Sequence, residues 1–198
     1  MIHNKIALGT ANFDSSYGLS SGYFTEKNKV KNLLIFCKNN NIDTIDTSPD
    51  YKNAENLLGN AGCKGFKLIT KIPNLSKVKI LNENFIKETI SRSLENLKLK
   101  KIYALLFRDP NSLMNNNLRL WQQAQVFKKV GVIKKIGVTV YNIKELNDCF
   151  DKLKPDIIQV PYNLFDRRLE TSQYLRKLYS KKIEIHCRSV FLQGLLLK

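Results

Sequence analysis

Seven short β-rich runs alternate with longer segments of helical periodicity, and this alternation restricts the fold more than any other property of the chain. The strand candidates are Lys5–Gly9, Thr44–Asp46, Phe66–Lys71, Ile102–Phe107, Lys135–Val140, Ile157–Pro161 and Glu184–Val190. Most are near-continuous apolar runs, as expected of parallel strands covered on both faces. Between them, Glu26–Asn39, Glu83–Leu97, Asn117–Lys129, Ile143–Phe150 and Leu169–Tyr179 carry apolar residues at helical spacing. Phe85, Ile86, Ile90, Leu94 and Leu97 form one such stripe. A shorter helix is expected over Asn53–Gly59, stopped by Gly59.

Parallel strands joined by helices require right-handed crossovers, which an open doubly wound sheet and a (β/α)₈ barrel both satisfy. The glycine-rich G-x-G-x-x-G turn of a dinucleotide-binding sheet is missing after the first strand. Instead, polar residues recur at the ends of many strands: Thr10, Asp46, Lys71, Arg108, Thr139, Gln159 and Ser189. A barrel collects its chemistry from several strand ends on one face. The expected architecture is therefore a TIM-type α/β barrel. A complete barrel has eight strands over roughly 250 residues, whereas these 198 residues supply about seven. The expectation is a single incomplete barrel domain over residues 1–198 that lacks the eighth β/α unit. Its first and seventh strands would be unpaired apolar edges through which an oligomer could form.

The formal charge of +16 raises the question of a nucleic-acid partner. The lysines, however, are interleaved with helix positions such as Lys27, Lys29, Lys31 and Lys38, without a recognition-helix or aromatic RNA-binding pattern. They read as solvated helix faces, and no nucleic acid is expected. No apolar run reaches the roughly 18 residues that cross a bilayer, and no signal peptide precedes Ile6-Ala7-Leu8-Gly9. Cys37, Cys63, Cys149 and Cys187 are too widely spaced for a C-x-x-C pair. Together these features suggest a cytoplasmic protein with reduced thiols and no membrane partner. His3, His186 and the cysteines lack ligand spacing, so no metal is expected.

The chemistry concentrates in Asp46-Thr47-Ser48-Pro49-Asp50-Tyr51 and in Thr70-Lys71, each directly after a strand candidate. Taken singly, Asp46 reads as a helix cap, Tyr51 as a half-buried loop anchor and Lys71 as one lysine among many. Taken together at successive strand ends, a carboxylate, a phenol and an ammonium can make a proton-donating tyrosine. A free tyrosine has a pKa near 10, and a nearby cation favours its phenolate and eases proton release.

Several segments, in chain order, resemble the aldo-keto reductase family. Ile45-Asp46-Thr47-Ser48-Pro49-Asp50-Tyr51, with Glu55 and Leu57-Leu58-Gly59, resembles its D-T-A-x-x-Y-G-x-x-E-x-x-L-G signature. Leu68-Ile69-Thr70-Lys71, Lys135-Ile136-Gly137-Val138-Thr139-Val140, Gln159-Val160-Pro161-Tyr162-Asn163 and Arg188–Leu196 resemble its third, fifth, sixth and seventh strands. Gly9-Thr10-Ala11-Asn12-Phe13 with Tyr17-Gly18 is similar to a bacterial branch found with sugar and polysaccharide genes.

The resemblance implies hydride transfer from a nicotinamide cofactor, NADPH with NADH as the alternative, to a small aldehyde or ketone, with a sugar-derived carbonyl as one candidate. It implies Tyr51 as general acid, with Lys71 and Asp46 tuning it. Gln159 and Thr139 would seat the nicotinamide, Ser189 would approach the pyrophosphate, and Thr10 would join the cofactor side. Two departures stand out. Leu105-Leu106-Phe107-Arg108-Asp109-Pro110 places Arg108 where the family carries a histidine. Arg108 is always charged and has only donors; it would polarise the carbonyl or bind an acidic substrate, or else collapse onto Asp46 or Asp109. In addition, nothing here matches the family's segment that holds the adenosine. The alternative expectation is a catalytically impaired barrel remnant serving as a binding or assembly subunit.

Overall fold

The computed structural model describes residues 5–13, 27–78, 81–171 and 173–197; His3, Tyr17, Gly18 and Glu26, invoked above, lie outside them. Seven strands run parallel, side by side in chain order: β1 (Ala7–Gly9), β2 (Thr44–Asp46), β3 (Lys67–Ile72), β4 (Ile102–Phe107), β5 (Ile133–Thr139), β6 (Ile157–Pro161) and β7 (Glu184–Arg188). The helices are α1 (Lys27–Asn39), α2 (Ala54–Ala61), α3 (Phe85–Leu97), α4 (Pro110–Asn116), α5 (Leu118–Lys129), α6 (Ile143–Leu153), α7 (Arg168–Thr171) and α8 (Tyr174–Ser180). The sheet curls into an incomplete TIM-type barrel. In a flat sheet, β2 and β6 would stand roughly 19 Å apart at the usual strand spacing, yet Gln159 Nε2 on β6 lies 2.8 Å from Asp46 Oδ1 on β2.

The main core lies between the strands and the helices, where Ile45, Leu68, Leu105 and Ile136 meet Val30, Leu58, Ile90 and Trp121. A second, small apolar layer of Ile69, Ala104, Leu106 and Ile157 fills the barrel interior. Polar side chains lie on either side of it along the barrel axis. On the side of the strand starts, Glu184 accepts from Tyr103 Oη at 2.6 Å, meets His186 Nε2 at 2.6 Å and pairs with Lys135. A cleft at these strand starts is lined by Lys64, Lys98, Lys100, Lys101 and Lys134. Helix C-termini gather at this end and attract cations, so part of the basic charge is concentrated rather than scattered.

Three local expectations are corrected. Gly59 does not stop α2; the helix continues to Ala61 and ends at Gly62, whose φ of 87° is left-handed. Gly59 instead permits close helix packing, since a Cβ there would lie 2.1 Å from the Asn96 carbonyl oxygen of α3. The helix read over Leu169–Tyr179 is two short helices, α7 and α8, with Gln173 left-handed at φ 61° between them. Helix α4 has too little apolar periodicity to be noticed, but Pro110 sits in its first turn and the Asp109 side chain accepts from Ser112 N.

Gly137 on β5 sets how closely β6 can approach. A Cβ there would lie 1.9 Å from the Ile157 carbonyl oxygen. Gly137→Ala should therefore cost about 3 kcal/mol, read as a lower midpoint in urea unfolding. Glu184 provides a second test. Burial alone would raise its pKa, but hydrogen bonds from His186, Lys135 and Tyr103 hold it down to about 2. Because the folded value is depressed, its stabilisation is present above the ordinary carboxylate range. It is lost as the pH falls from about 4.5 toward about 2. Thermal midpoints across that window should fall steeply for the native chain and less steeply for Glu184→Gln.

Candidate active site

The strands are parallel, so all their C-terminal ends open on one side, and the polar residues there can converge. Lys71 is the centre of the group. Its side chain is 2% exposed although it carries an ammonium. The three N–H donors meet three oxygens: Asp46 Oδ1 and Oδ2, both at 2.7 Å, and the Thr47 carbonyl at 2.9 Å. Burial lowers the Lys71 pKa; Asp46 opposes that shift, while Arg108 and Arg188 add to it. Asp46 is thus the counterion of Lys71 and not a helix cap. Its backbone carbonyl accepts from both N and Oγ1 of Thr10 at 3.0 Å, which pins the end of β1 to β2.

Tyr51 lies in the turn between β2 and α2. Ser48 shapes this turn: its carbonyl accepts from Tyr51 N at 3.0 Å and its Oγ from Asp50 N at 3.2 Å. The Tyr51 carbonyl in turn accepts from Ala54 N at 3.0 Å as α2 begins. Helix α2 is anchored by Glu55, a buried carboxylate that accepts from Thr70 Oγ1 at 2.6 Å on β3. The phenol ring is consequently fixed beside Lys71, with Nζ 5.2 Å from the ring centroid. Arg108 Cζ lies 5.8 Å from the same centroid.

Arg108 does not collapse onto Asp46 or Asp109. It donates Nη1 to Asp50 Oδ2 at 2.7 Å, next to Tyr51 in sequence. Burial alone would lower its pKa, but Tyr51, Tyr141 and Asp50 more than offset this and raise it. On the other side, Gln159 gives Nε2 to Asp46, and its Oε1 accepts from Thr139 Oγ1 at 3.4 Å. Ser189, just past β7, has a left-handed φ of 58°, and its Oγ accepts from Arg188 Nη1 at 3.5 Å.

Asp46, Tyr51, Lys71, Arg108, Thr139 and Gln159 therefore form one contiguous group, and Thr10 adjoins it through the Asp46 carbonyl. Among the described residues, Ser189 is held by Arg188 and by Asn163, whose Nδ2 donates to the Ser189 carbonyl at 3.2 Å, and it makes no hydrogen bond to that group. Sequence reasoning did not single out Asp50, Tyr141 or Arg188. The period-two alternation Glu184, His186, Arg188 along β7 was the available signal for Arg188. Among the described residues, no group of three or more His, Cys, Asp or Glu could hold a metal ion, the four cysteines are unpaired, and no helix is long and apolar enough to cross a membrane.

The sequence profile of the aldo/keto reductase family matches residues 5–198. The chain belongs to that family. Solved structures of similar fold include a putative aldo-keto reductase from Pseudomonas aeruginosa. It is 20% identical with a TM-score of 0.78, over 91% of this chain and 71% of that one. The holo form of aldo-keto reductase AKR11C1 from Bacillus halodurans is 18% identical with a TM-score of 0.78, over 97% and 64%. A point mutant of Gox0644 in complex with NADPH is 18% identical with a TM-score of 0.68, over 98% and 66%. The chain thus spans about two thirds of these structures. None of the curated proteins is significantly similar in sequence.

The buried ion pair gives a direct test of this arrangement. Asp46→Asn would leave Lys71 buried without a counterion, so that the folded chain must give up the lysine proton, at a cost of about 3 kcal/mol near neutral pH. The loss, measured by urea unfolding, should shrink as the pH rises into the ordinary lysine range, where the unfolded chain also gives up that proton.

Proposed function

We propose that this aldo/keto reductase chain reduces an aldehyde or ketone with NADPH, with Tyr51 as the general acid. The observation that carries the reading is the Lys71–Asp46 pair set against the Tyr51 ring. When bound, the nicotinamide supplies the hydride. Negative charge then develops on the substrate oxygen, and Tyr51 Oη delivers a proton to it. Lys71 has committed its N–H groups to Asp46 and Thr47, so it acts on Tyr51 through its charge and not as a direct donor. Arg108 adds a second positive charge beside the ring and spare N–H groups that can orient the carbonyl.

The donor set fits the cofactor. The Gln159 amide and the Thr139 hydroxyl offer the paired donor and acceptor that a carboxamide needs, both on buried side chains. Ser189 and Thr10 would border the cofactor's phosphate and ring sides. NADH is the alternative donor, and sugar-derived aldehydes and ketones are the first substrates to screen. A cytoplasmic location fits this chemistry, which draws on a soluble reductant.

A second reading, an assembly or binding subunit, is favoured by one observation. β1 and β7 have no further strand partner among the described residues, and Leu164 and Phe165 beyond β6 are 72% and 73% exposed. Sedimentation would distinguish the two readings. A defined oligomer without NADPH binding supports the subunit, whereas a monomer that binds NADPH supports the enzyme. In the enzyme reading, Tyr51→Phe should lower carbonyl reduction by roughly 10²–10⁴-fold while nicotinamide fluorescence still reports saturable NADPH binding. Unchanged turnover in that variant would overturn the assignment of the acid.

A further inference from the structure

We propose that the carbonyl substrate is an anion, and that Arg108 and Arg188, both beside Tyr141, grip its carboxylate or phosphate. This rests on the reductase reading of the same site and adds the class of substrate. Only seven of the 33 basic residues are arginine, yet two of those seven stand here. Arg188 ends β7 on the same face as Glu184 and His186, opposite Pro161 of β6. Its guanidinium stacks over the Tyr141 ring, with Cζ 4.3 Å from the centroid. Arg108 approaches Tyr141 from the end of β4, and the phenol group helps to hold its charge.

Arg188 is short of partners. Among the described residues it forms no ion pair, its only side-chain hydrogen bond is the 3.5 Å contact with Ser189, and its buried Nε has no acceptor. Asp166, the nearby carboxylate, is forked by Arg168 through both oxygens at 2.8 and 2.7 Å. A guanidinium stacked on a ring keeps its edge for acceptors in its own plane, the geometry that a carboxylate or phosphate satisfies bidentately. Charge points the same way: among the described residues, Lys71, Arg108, Arg188 and Arg168 face Asp46, Asp50 and Asp166, which leaves one positive charge unmatched. Because Arg108 also lies against Tyr51, the acid group must be close to the reacting carbonyl. Short 2-oxo acids and 2-oxo phosphates meet that requirement.

Two matched pairs of ligands test the proposal by calorimetry on the whole chain: phenylglyoxylate against its methyl ester, and dihydroxyacetone phosphate against dihydroxyacetone. At least one anion should bind about tenfold or more tightly than its neutral partner, and the pair that does so identifies the acid group. Arg188→Met and Arg108→Met should each remove that preference; Arg188→Met should leave the neutral ligand unchanged, whereas Arg108→Met, which also loses donors to the carbonyl, should weaken both ligands and the anion more. Arg188→Lys, which keeps the charge but loses the fork, should restore it only in part and guards against a folding artefact. Equal binding of acid and neutral partner, or a preference that survives both methionine variants, overturns the proposal. So does weaker NADPH binding in Arg188→Met with the anion preference intact, since Arg188 would then serve the cofactor. Anion binding lost with the arginines, but without Tyr51-dependent oxidation of NADPH, would instead sink the reductase reading and leave the anion site standing.

Discussion

The burial of one ammonium group organises this fold. Moving the Lys71 charge into the barrel costs several kcal/mol unless it is met by well-placed partners, and β2 supplies all three of them. Both Asp46 oxygens and the Thr47 carbonyl reach Nζ. The register makes this feasible: Asp46 pairs with Ile69, two residues before Lys71, so the lysine stem turns back over the neighbouring strand end. The same carboxylate oxygen accepts from Gln159 on β6. One aspartate therefore neutralises a buried cation and holds the curled sheet together from the inside.

That arrangement depends on how closely the strands approach. Gln159 reaches Asp46 only because β6 sits tightly against β5, and Gly137 permits that contact by having no side chain where the Ile157 carbonyl lies. The position of Tyr51 depends on a second chain of contacts: Thr70 on β3 holds Glu55, Glu55 holds α2, and the first turn of α2 holds Tyr51. The motif residues between Asp46 and Gly59 thus divide the work. Some carry charge, and others, such as Glu55 and Gly59, fix the distance between the helix and the charge.

Features carried by local pattern were legible in the sequence. β2, β4 and β6 have the expected bounds, and β4 and β6 do so because they are mostly apolar runs bounded by polar residues. Asp46, Tyr51, Lys71, Thr139 and Gln159, which the fold brings together, stand out in the sequence because each lies in the later part of a strand or just past it. Features set by long-range geometry were not legible. Gly59 looks like a stop signal, and only its contact with Asn96 shows that it is a packing residue. The partner of Arg108 is 58 positions away in the chain; Asp46 and Asp109 were the acids the sequence suggested, and the fold brings Asp50 to it instead. Arg188 was hidden for a related reason, since its importance lies in the aromatic ring beneath it and the acid it lacks, neither of which appears in its own segment.

The exchange of a histidine for Arg108 is best understood through charge balance. A neutral imidazole needs no counterion, whereas a guanidinium beside a buried lysine does, because the two cations repel. Asp50 supplies that counterion from the turn that carries Tyr51. The ion pair therefore ties the end of β4 to the acid's own loop, a link between strand and turn that is absent without the arginine. Asp50 engages one Nη1 of a group that has five N–H donors, so Arg108 can hold the turn and still face the substrate. Under the proposed function, a permanent cation at this position would raise the affinity for any negative charge that forms or arrives next to Tyr51, whether an oxyanion in the transition state or an acid group on the substrate. Under that proposal, the residue at which the family resemblance breaks would also be the one that most narrows what this site can bind.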